Sequence, residues 1–181
     1  MENRIIVAGF GGQGVLLIGQ VLCHAGMESG MNVSWLPSYG PEMRGGTASC
    51  SVILAEGEIG SPMATQADAC IVMNTPSFEK YQSFVRPGGQ LLVNSSLIGK
   101  PKLRDDILGY FVPCNEVAAE AGNLRTANMA MLGAFNHITG YLSTEAIHEA
   151  LAGIFGERRA HLLPVNYQAM ELGAAAAEEA K

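Results

Sequence analysis

The hydrophobic pattern at the start of the chain predicts a strand, a glycine turn and a helix in succession. Residues 5–8 form a continuous apolar run, which is typical of a strand covered on both faces of a sheet. Residues 9–14 follow as a turn, and apolar residues then recur at helical spacing until Gly26 or Gly30. A strand, a tight turn and a helix in this order are the first unit of an α/β domain.

Further apolar runs predict five more strands, each short and bounded by Gly, Pro or polar residues. They lie at residues 32–36, 47–54, 69–73, 90–94 and 109–113. Glu56-Gly57 is typical of a hairpin turn, so residues 47–54 are expected to pair antiparallel with a strand at residues 58–60.

Helical signals dominate the second half of the chain. They consist of capping residues, a helix-opening proline and apolar residues three or four positions apart. The helix starts are expected at Pro76, Asn115, Thr126, Ser143 and Pro164, with stops near Gly122 and Gly140.

Alternating strands and helices predict a Rossmann-like α/β fold. We expect a largely parallel sheet with one antiparallel hairpin, helices on both faces and a helical C-terminal part. Residues 1–173 form one domain in this interpretation, and the Ala/Glu-rich residues 174–181 are a tail that is expected to fray.

Composition and charge exclude several classes of protein. The net charge is −6 and no Lys/Arg run occurs, which argues against nucleic-acid binding. No apolar run reaches about 18 residues, and the N-terminus lacks the pattern of a signal peptide, so a cytoplasmic protein without a membrane span is expected. Only 15% of residues are charged. That low fraction fits either a surface partly buried by a partner or a compact monomer.

The four cysteines are Cys23, Cys50, Cys70 and Cys114, and no CxxC spacing occurs among them. Iron–sulfur and zinc sites usually take closely spaced ligands. We therefore expect buried thiols, no metal held by this chain, and no visible absorption band from the purified chain.

The glycine turn satisfies the G-x-G-x-x-G spacing of dinucleotide sites through Gly9, Gly11 and Gly14, with Gly12 and Gln13 between them. Glycines permit a tight turn, and the following helix start offers free N–H groups to an anion. The acidic residue required about 20 positions further on is missing, because residues 33–38 are Val-Ser-Trp-Leu-Pro-Ser. Two interpretations stay open: contact with a phosphate-bearing ligand other than a dinucleotide, and close helix–strand packing without a ligand.

A second motif gives the chain its resemblance to a known family. Residues 39–46 are Tyr-Gly-Pro-Glu-Met-Arg-Gly-Gly and lead directly into the predicted strand at 47–54. Together with the glycine turn, this loop resembles the gamma subunit of 2-oxoacid:ferredoxin oxidoreductases, most of all the 2-oxoglutarate type. Ser61-Pro62, Ala67-Asp68, the region of Asn128 and residues 164–166 also look like that family, so the resemblance extends from Arg4 to about Gly173.

The resemblance implies an oxidoreductase complex that converts a 2-oxoacid and coenzyme A to acyl-CoA and carbon dioxide while reducing ferredoxin. Thiamine diphosphate and iron–sulfur clusters would be held by alpha, beta and ferredoxin-like delta subunits. The present chain would hold no cofactor alone, would be inactive alone and would lie near the coenzyme A path. A homodimer is one expected state of the isolated chain. Pyruvate, branched-chain and aryl 2-oxoacids are the alternative substrates.

The second motif supplies the other candidate site residues: Tyr39, Glu42, Met43, Arg44, Gly45 and Gly46. Three roles stay open for Glu42 and Arg44: an ion pair within the loop, a contact across a subunit interface, and binding of a coenzyme A phosphate or substrate carboxylate by Arg44. Met43 is expected to be a packing residue.

No catalytic group is predicted. None of the four histidines, His24, His137, His148 and His161, stands beside a motif carboxylate or thiol. Two rival functions follow from the same residues: a free-standing nucleotide- or coenzyme-A-binding module, and an independent NAD(P)-dependent oxidoreductase, which the missing acidic residue disfavours.

Overall fold

The computed structural model describes residues 2–38, 47–62 and 65–180. Within these ranges, seven strands form one sheet in the order β2-β3-β1-β4-β5-β6-β7. The strands are β1 (Glu2–Phe10), β2 (Asn32–Ser38), β3 (Thr47–Ala55), β4 (Ala67–Val72), β5 (Val85–Asn94), β6 (Leu108–Val112) and β7 (Glu178–Glu179). The helices are α1 (Val15–Glu28), α2 (Thr75–Tyr81), α3 (Ser95–Ile98), α4 (Cys114–Glu120), α5 (Ala127–Thr139), α6 (Thr144–Arg159) and α7 (Leu163–Ala176).

The centre of the sheet is parallel, because β1, β4, β5 and β6 run in one direction. β3 is antiparallel to both of its neighbours, β1 and β2, and β7 is antiparallel to β6. The predicted α/β class and its antiparallel element are therefore confirmed. The location of the hairpin was wrong, because β3 pairs with β2 and β1, whereas residues 58–60 form no strand.

The sheet separates two hydrophobic cores. Alternate residues of β1 point to opposite faces, so Ile5 and Val7 lie in the larger core and Ile6 and Ala8 in the smaller one. Helices α1, α4, α5, α6 and α7 cover the larger core, while α2 and α3 cover the smaller. Helices thus lie on both faces, as predicted, but the C-terminal helices all pack on the same face as α1.

Local signals place most helix starts correctly. Ser143 caps α6 by accepting a hydrogen bond from the Ala146 N–H at 3.1 Å. Prolines stand in the first turns of α2 and α7. Asn115 does not cap α4 as predicted: the helix begins one residue earlier, and the Asn115 N–H donates to Ser96 Oγ at 2.9 Å.

Helices α5 and α7 cross at close range through two glycines. A methyl group on Gly133 would overlap with the backbone of Met170, and one on Gly173 would overlap with the carbonyl group of Ala130. Each glycine therefore accommodates the backbone of the opposite helix, which brings α5 and α7 into direct backbone contact.

The end of the chain returns to the sheet. Helix α7 continues past the expected boundary at residue 173 to Ala176, and residues 178–179 pair with β6. Among the described residues, none of the helices is both long and apolar enough to cross a membrane.

Candidate functional site

The glycine turn lies at the carboxyl ends of the parallel strands, between β1 and α1. Gly12 and Gly14 have positive φ angles of 94° and 72°, which side chains rarely tolerate. A methyl group on Gly14 would also overlap with the side chain of Asn128. In contrast, nothing lies within 4 Å of the position that a methyl group would take on Gly11 or Gly12. Gly14 is thus needed for packing, and the middle of the turn, at Gly11 and Gly12, borders open space.

Gln13 locks the turn against the neighbouring strand. Its side-chain oxygen accepts hydrogen bonds from the Phe10 N–H at 2.6 Å and from Asn74 Nδ2 at 3.2 Å. Its amide nitrogen donates to the Met73 carbonyl oxygen at 3.2 Å. The side chain that sequence reasoning assigned to an anion therefore makes three hydrogen bonds within the protein.

Three buried asparagines continue this network along the sheet edge. Asn74 follows β4 and caps α2 by accepting from the Ser77 N–H at 2.9 Å. Asn94 ends β5, where it donates to the Met73 carbonyl oxygen at 3.4 Å. Asn128, in the first turn of α5, donates to the Gly14 carbonyl oxygen at 3.4 Å. These amides fix the turn, β4, β5 and α5 relative to one another, because buried amides are costly unless they are paired.

A cleft of about 410 Å³ opens above this network. It lies where α1 leaves β1 toward one face of the sheet and α2 leaves β4 toward the other, the position at which α/β proteins commonly bind ligands. Its lining consists of Gly12, Gln13, Met73, Leu97, Asn115, Leu124, Arg125, Ala127 and Asn128.

Arg125 is the cation of this cleft, and sequence reasoning missed it. It stands in the short 3-10 turn before α5 and is exposed. Within the described ranges, its guanidinium makes no ion pair. Leu97 and Leu124 flank the cleft with 48% and 68% of their surfaces exposed. A positive charge beside exposed apolar side chains suits a ligand with an anionic group and an apolar arm.

The strands that flank the second predicted motif meet at the same edge of the sheet. The motif residues Tyr39, Glu42, Met43, Arg44, Gly45 and Gly46 lie outside the described residues, so their roles remain predictions. The strands on either side are described: β2 ends at Ser38, and β3 begins at Thr47, which lies directly opposite Phe10. The start of β3 therefore lies beside the end of β1, immediately before the glycine turn.

The sheet order gives a second reason to expect no dinucleotide at the turn. β3 separates β1 from β2, which places the end of β2 two strand spacings, about 9–10 Å, from β1. An acidic residue at the end of β2 would therefore be displaced even if the chain had one.

We accordingly expect no NAD(H) binding by the isolated chain. Calorimetric titration should give no heat of binding at micromolar concentrations, since residues 33–38 contain no carboxylate for the ribose hydroxyls. Micromolar affinity for NAD(H) would contradict this prediction, whereas weak binding of sulfate or phosphate would not, because the free N–H groups attract any anion.

Among the residues that the structure describes, groups that could perform covalent or metal chemistry are not gathered in this site. In the described part of the chain, no three His, Cys, Asp or Glu side chains are close enough to hold a metal. All four cysteines are buried and free. Burial raises the pKa of Cys23 to about 12 and that of Cys50 to about 11, and it also raises the pKa values of Cys70 and Cys114. His148 stacks on Tyr167 with ring centroids 4.0 Å apart, away from the cleft.

Comparisons with known proteins agree with this description. Residues 4–176 match the family described as pyruvate ferredoxin/flavodoxin oxidoreductase. Ketoisovalerate oxidoreductase subunit VorA of Methanothermobacter marburgensis is 38% identical over 96% of this chain, which spans 36% of that relative's length. The 2-oxoglutarate synthase subunit KorC of the same organism is 34% identical, over 83% of this chain and 85% of KorC.

A solved structure shows the same architecture in a protein of similar length. The gamma subunit of a keto/oxoacid ferredoxin oxidoreductase from Geobacter sulfurreducens superposes with a TM-score of 0.82. It is 30% identical, and the match covers 96% of both chains. Since the family match extends over nearly the whole chain and relatives above 30% identity share most of it, this chain belongs to the pyruvate ferredoxin/flavodoxin oxidoreductase family.

Proposed function

We propose that this chain is the gamma subunit of a cytoplasmic 2-oxoacid:ferredoxin oxidoreductase, with 2-oxoglutarate as the favoured substrate. The complex would form acyl-CoA and carbon dioxide from the 2-oxoacid and coenzyme A and would reduce ferredoxin. The observation that carries the proposal is the match over 96% of both chains with a separate gamma subunit.

The choice of substrate rests on chain length and identity together. KorC, a 2-oxoglutarate synthase subunit, is matched over 85% of its length, whereas VorA is matched over 36% of its length. The higher identity to VorA, 38%, makes a branched-chain 2-oxoacid the second candidate. Substrate selection would take place mainly in the thiamine-binding subunits of the complex.

The arrangement of polar groups supports an accessory role for this chain. Its four cysteines are buried and dispersed, and its buried amides are used to hold the glycine turn in place. We therefore assign thiamine diphosphate and the iron–sulfur clusters to the alpha, beta and delta subunits. Thiamine diphosphate would supply decarboxylation there, and the clusters would pass electrons to ferredoxin.

The cleft beside the glycine turn is our candidate for this chain's part of the coenzyme A path. Arg125 would pair with a phosphate, Gly11 and Gly12 would leave room for the ligand beside the helix start, and the exposed leucines would contact its apolar arm. Residues 39–46, which precede β3 in the sequence, are proposed to contact either coenzyme A or a neighbouring subunit.

Replacing Arg125 with Ala should raise the Michaelis constant for coenzyme A about 10- to 100-fold, the range for losing a hydrogen bond to a charged group. The maximal rate at saturating coenzyme A should change little, because the arginine would act in binding. The measurement is steady-state kinetics of the reconstituted complex with coenzyme A varied.

Arg158→Ala is the matched control, since Arg158 is an exposed arginine near the end of α6 and is not among the residues that line the cleft. Its Michaelis constant should equal that of the wild type. Equal Michaelis constants for Arg125→Ala and wild type would show that coenzyme A does not bind in this cleft.

Purification of the tagged chain from its native source tests the proposed function itself. The expected result is a complex with thiamine-binding and cluster-binding subunits that reduces ferredoxin with 2-oxoglutarate faster than with pyruvate or ketoisovalerate. A faster reaction with ketoisovalerate would change the proposed substrate but leave the proposed role as a gamma subunit in place. A chain that purifies without partners, yet binds coenzyme A or a nucleotide, would instead establish the rival function of a free-standing binding module.

A further inference from the structure

The last described residues of the chain close one edge of the sheet. Glu178 and Glu179 pair with Phe111 and Tyr110 of β6, and the Ala180 N–H donates to the Gly109 carbonyl oxygen at 2.8 Å. We call residues 178–180 the strap. Without the strap, β6 would be the outermost strand, and its backbone groups would be available to another chain.

The position of the strap depends on a close approach at Gly109. A side chain on Gly109 would overlap with Leu103 and would come within 3.2 Å of the Ala180 methyl group. Ala180 in turn packs against the smaller hydrophobic core. Gly109 therefore lets the strap lie flat on the edge of β6.

Part of what holds the strap is exposed to solvent. Lys100 Nζ forms an ion pair with Glu178 Oε2 at 2.6 Å, but 54% and 64% of the two side chains are exposed. Exposed ion pairs contribute little to stability. A cavity of about 680 Å³ is lined on one side by the strap and on the other by the segment before β6, which includes Lys100, Lys102 and Arg104. Such a short, shallowly anchored segment can open without unfolding the domain.

The strap also changes the chemistry of the edge. Its two paired residues are both glutamates, and both are exposed. β6 itself contains no charged residue, and its Leu108 is 45% exposed. The short strand with two glutamates thus covers the uncharged strand β6. Short, charged edge strands are a known means of preventing edge-to-edge association between sheets.

We propose that the strap is a displaceable edge guard that prevents β6 from pairing with β6 of a second copy of this chain. Two copies related by a two-fold axis would align their β6 strands antiparallel and join two sheets into one. This inference rests on the strap and β6 alone and does not depend on the proposed function.

The first test removes residues 178–181 and compares molecular mass by light scattering over a range of protein concentrations. The truncated chain is expected to form a species of at least twice the wild-type mass as the concentration rises. Hydrogen exchange of the β6 amides should slow at those higher concentrations, because pairing would protect them. An unchanged mass over the whole range, with a native circular dichroism spectrum, would overturn the proposal.

A charge-exchange series keeps the proposal testable if the truncated chain does not fold. Lys100→Glu and Glu178→Lys each place like charges together and should speed exchange of the Ala180 amide about two- to fivefold, the size expected for an exposed ion pair. Each should also raise the fraction of the larger species. The double variant, Lys100→Glu with Glu178→Lys, restores opposite charges and should return both quantities to wild-type values. If the single variants leave both quantities unchanged, the strap does not guard the edge.

Discussion

Gly173→Ala should destabilise the protein by about 1–3 kcal/mol, the usual cost of overfilling a packed interior. The new methyl group would overlap with the carbonyl group of Ala130, and helix backbones cannot move aside as a flexible side chain can. Thermal unfolding followed by circular dichroism measures the effect, at about 2–4 °C of melting temperature per kcal/mol for a chain of this size.

The sign of this effect is diagnostic, because alanine ordinarily stabilises a helix relative to glycine by about 1 kcal/mol. Gly153→Ala in α6 is the matched control, since nothing lies within 4 Å of the position that its methyl group would take. We expect Gly153→Ala to raise the melting temperature and Gly173→Ala to lower it. A rise in both variants would show that α5 and α7 are not held at backbone contact.

Gly14→Ala should lower both the stability of the protein and the activity that depends on the candidate site. Its φ of 72° costs a residue with a side chain about 1–2 kcal/mol, and the methyl group would in addition displace Asn128. Because Asn128 lines the cleft and holds the Gly14 carbonyl oxygen, the displacement should distort the cleft. In a reconstituted complex we expect coenzyme-A-dependent turnover to fall at least about tenfold, which corresponds to about 1.4 kcal/mol.

Gly30→Ala separates backbone strain from displacement of Asn128. Gly30 has nearly the same φ, 77°, but nothing lies within 4 Å of the position that its methyl group would take. This variant should lose stability through strain alone and keep full turnover. The double variant Gly14→Ala with Asn128→Ala removes the displaced amide, so its stability should exceed the sum expected from the two single changes. Strict additivity would show that Asn128 is not what Gly14 accommodates.

Local chemistry explains which parts of the fold were predictable. The first strand, the glycine turn and α1 follow from an apolar run, glycines and helical periodicity, all within 28 residues of the start. Ser143 and Pro164 mark helix starts through their own hydrogen-bonding or backbone restrictions. These signals act over one helical turn, so the sequence alone determines them.

The insertion of β3 between β1 and β2 was not predictable from such signals. It depends on a ladder from Glu2 opposite Ala55 to Phe10 opposite Thr47, which joins segments far apart in the chain. Glu56-Gly57 has the local chemistry of a hairpin turn, but the short segment after it offers little apolar surface for pairing. Long-range burial therefore outweighed the turn signal.

The residues of the candidate site also divide into those that local sequence could predict and those that depend on long-range packing. Asn74 and Asn94 could have been proposed from the sequence, because each amide stands at or just after the end of a buried strand, where parallel strands converge on one edge. Arg125 could not, since it comes to line the cleft beside the glycine turn only through the packing of α5 against the sheet. Neither its neighbours nor its spacing distinguish it from an ordinary surface arginine.

Because all four thiols are buried, their reaction with a dye can be used to measure local opening of the fold. A thiol-reactive dye attacks the thiolate, and the fold both raises the pKa values of these groups and excludes the dye from them. Modification of the native protein must therefore wait for transient exposure, and its rate measures how often the surrounding structure opens. Cys50 lies in β3 and Cys114 in α4. The order in which these two react would reveal which end of the sheet comes apart first.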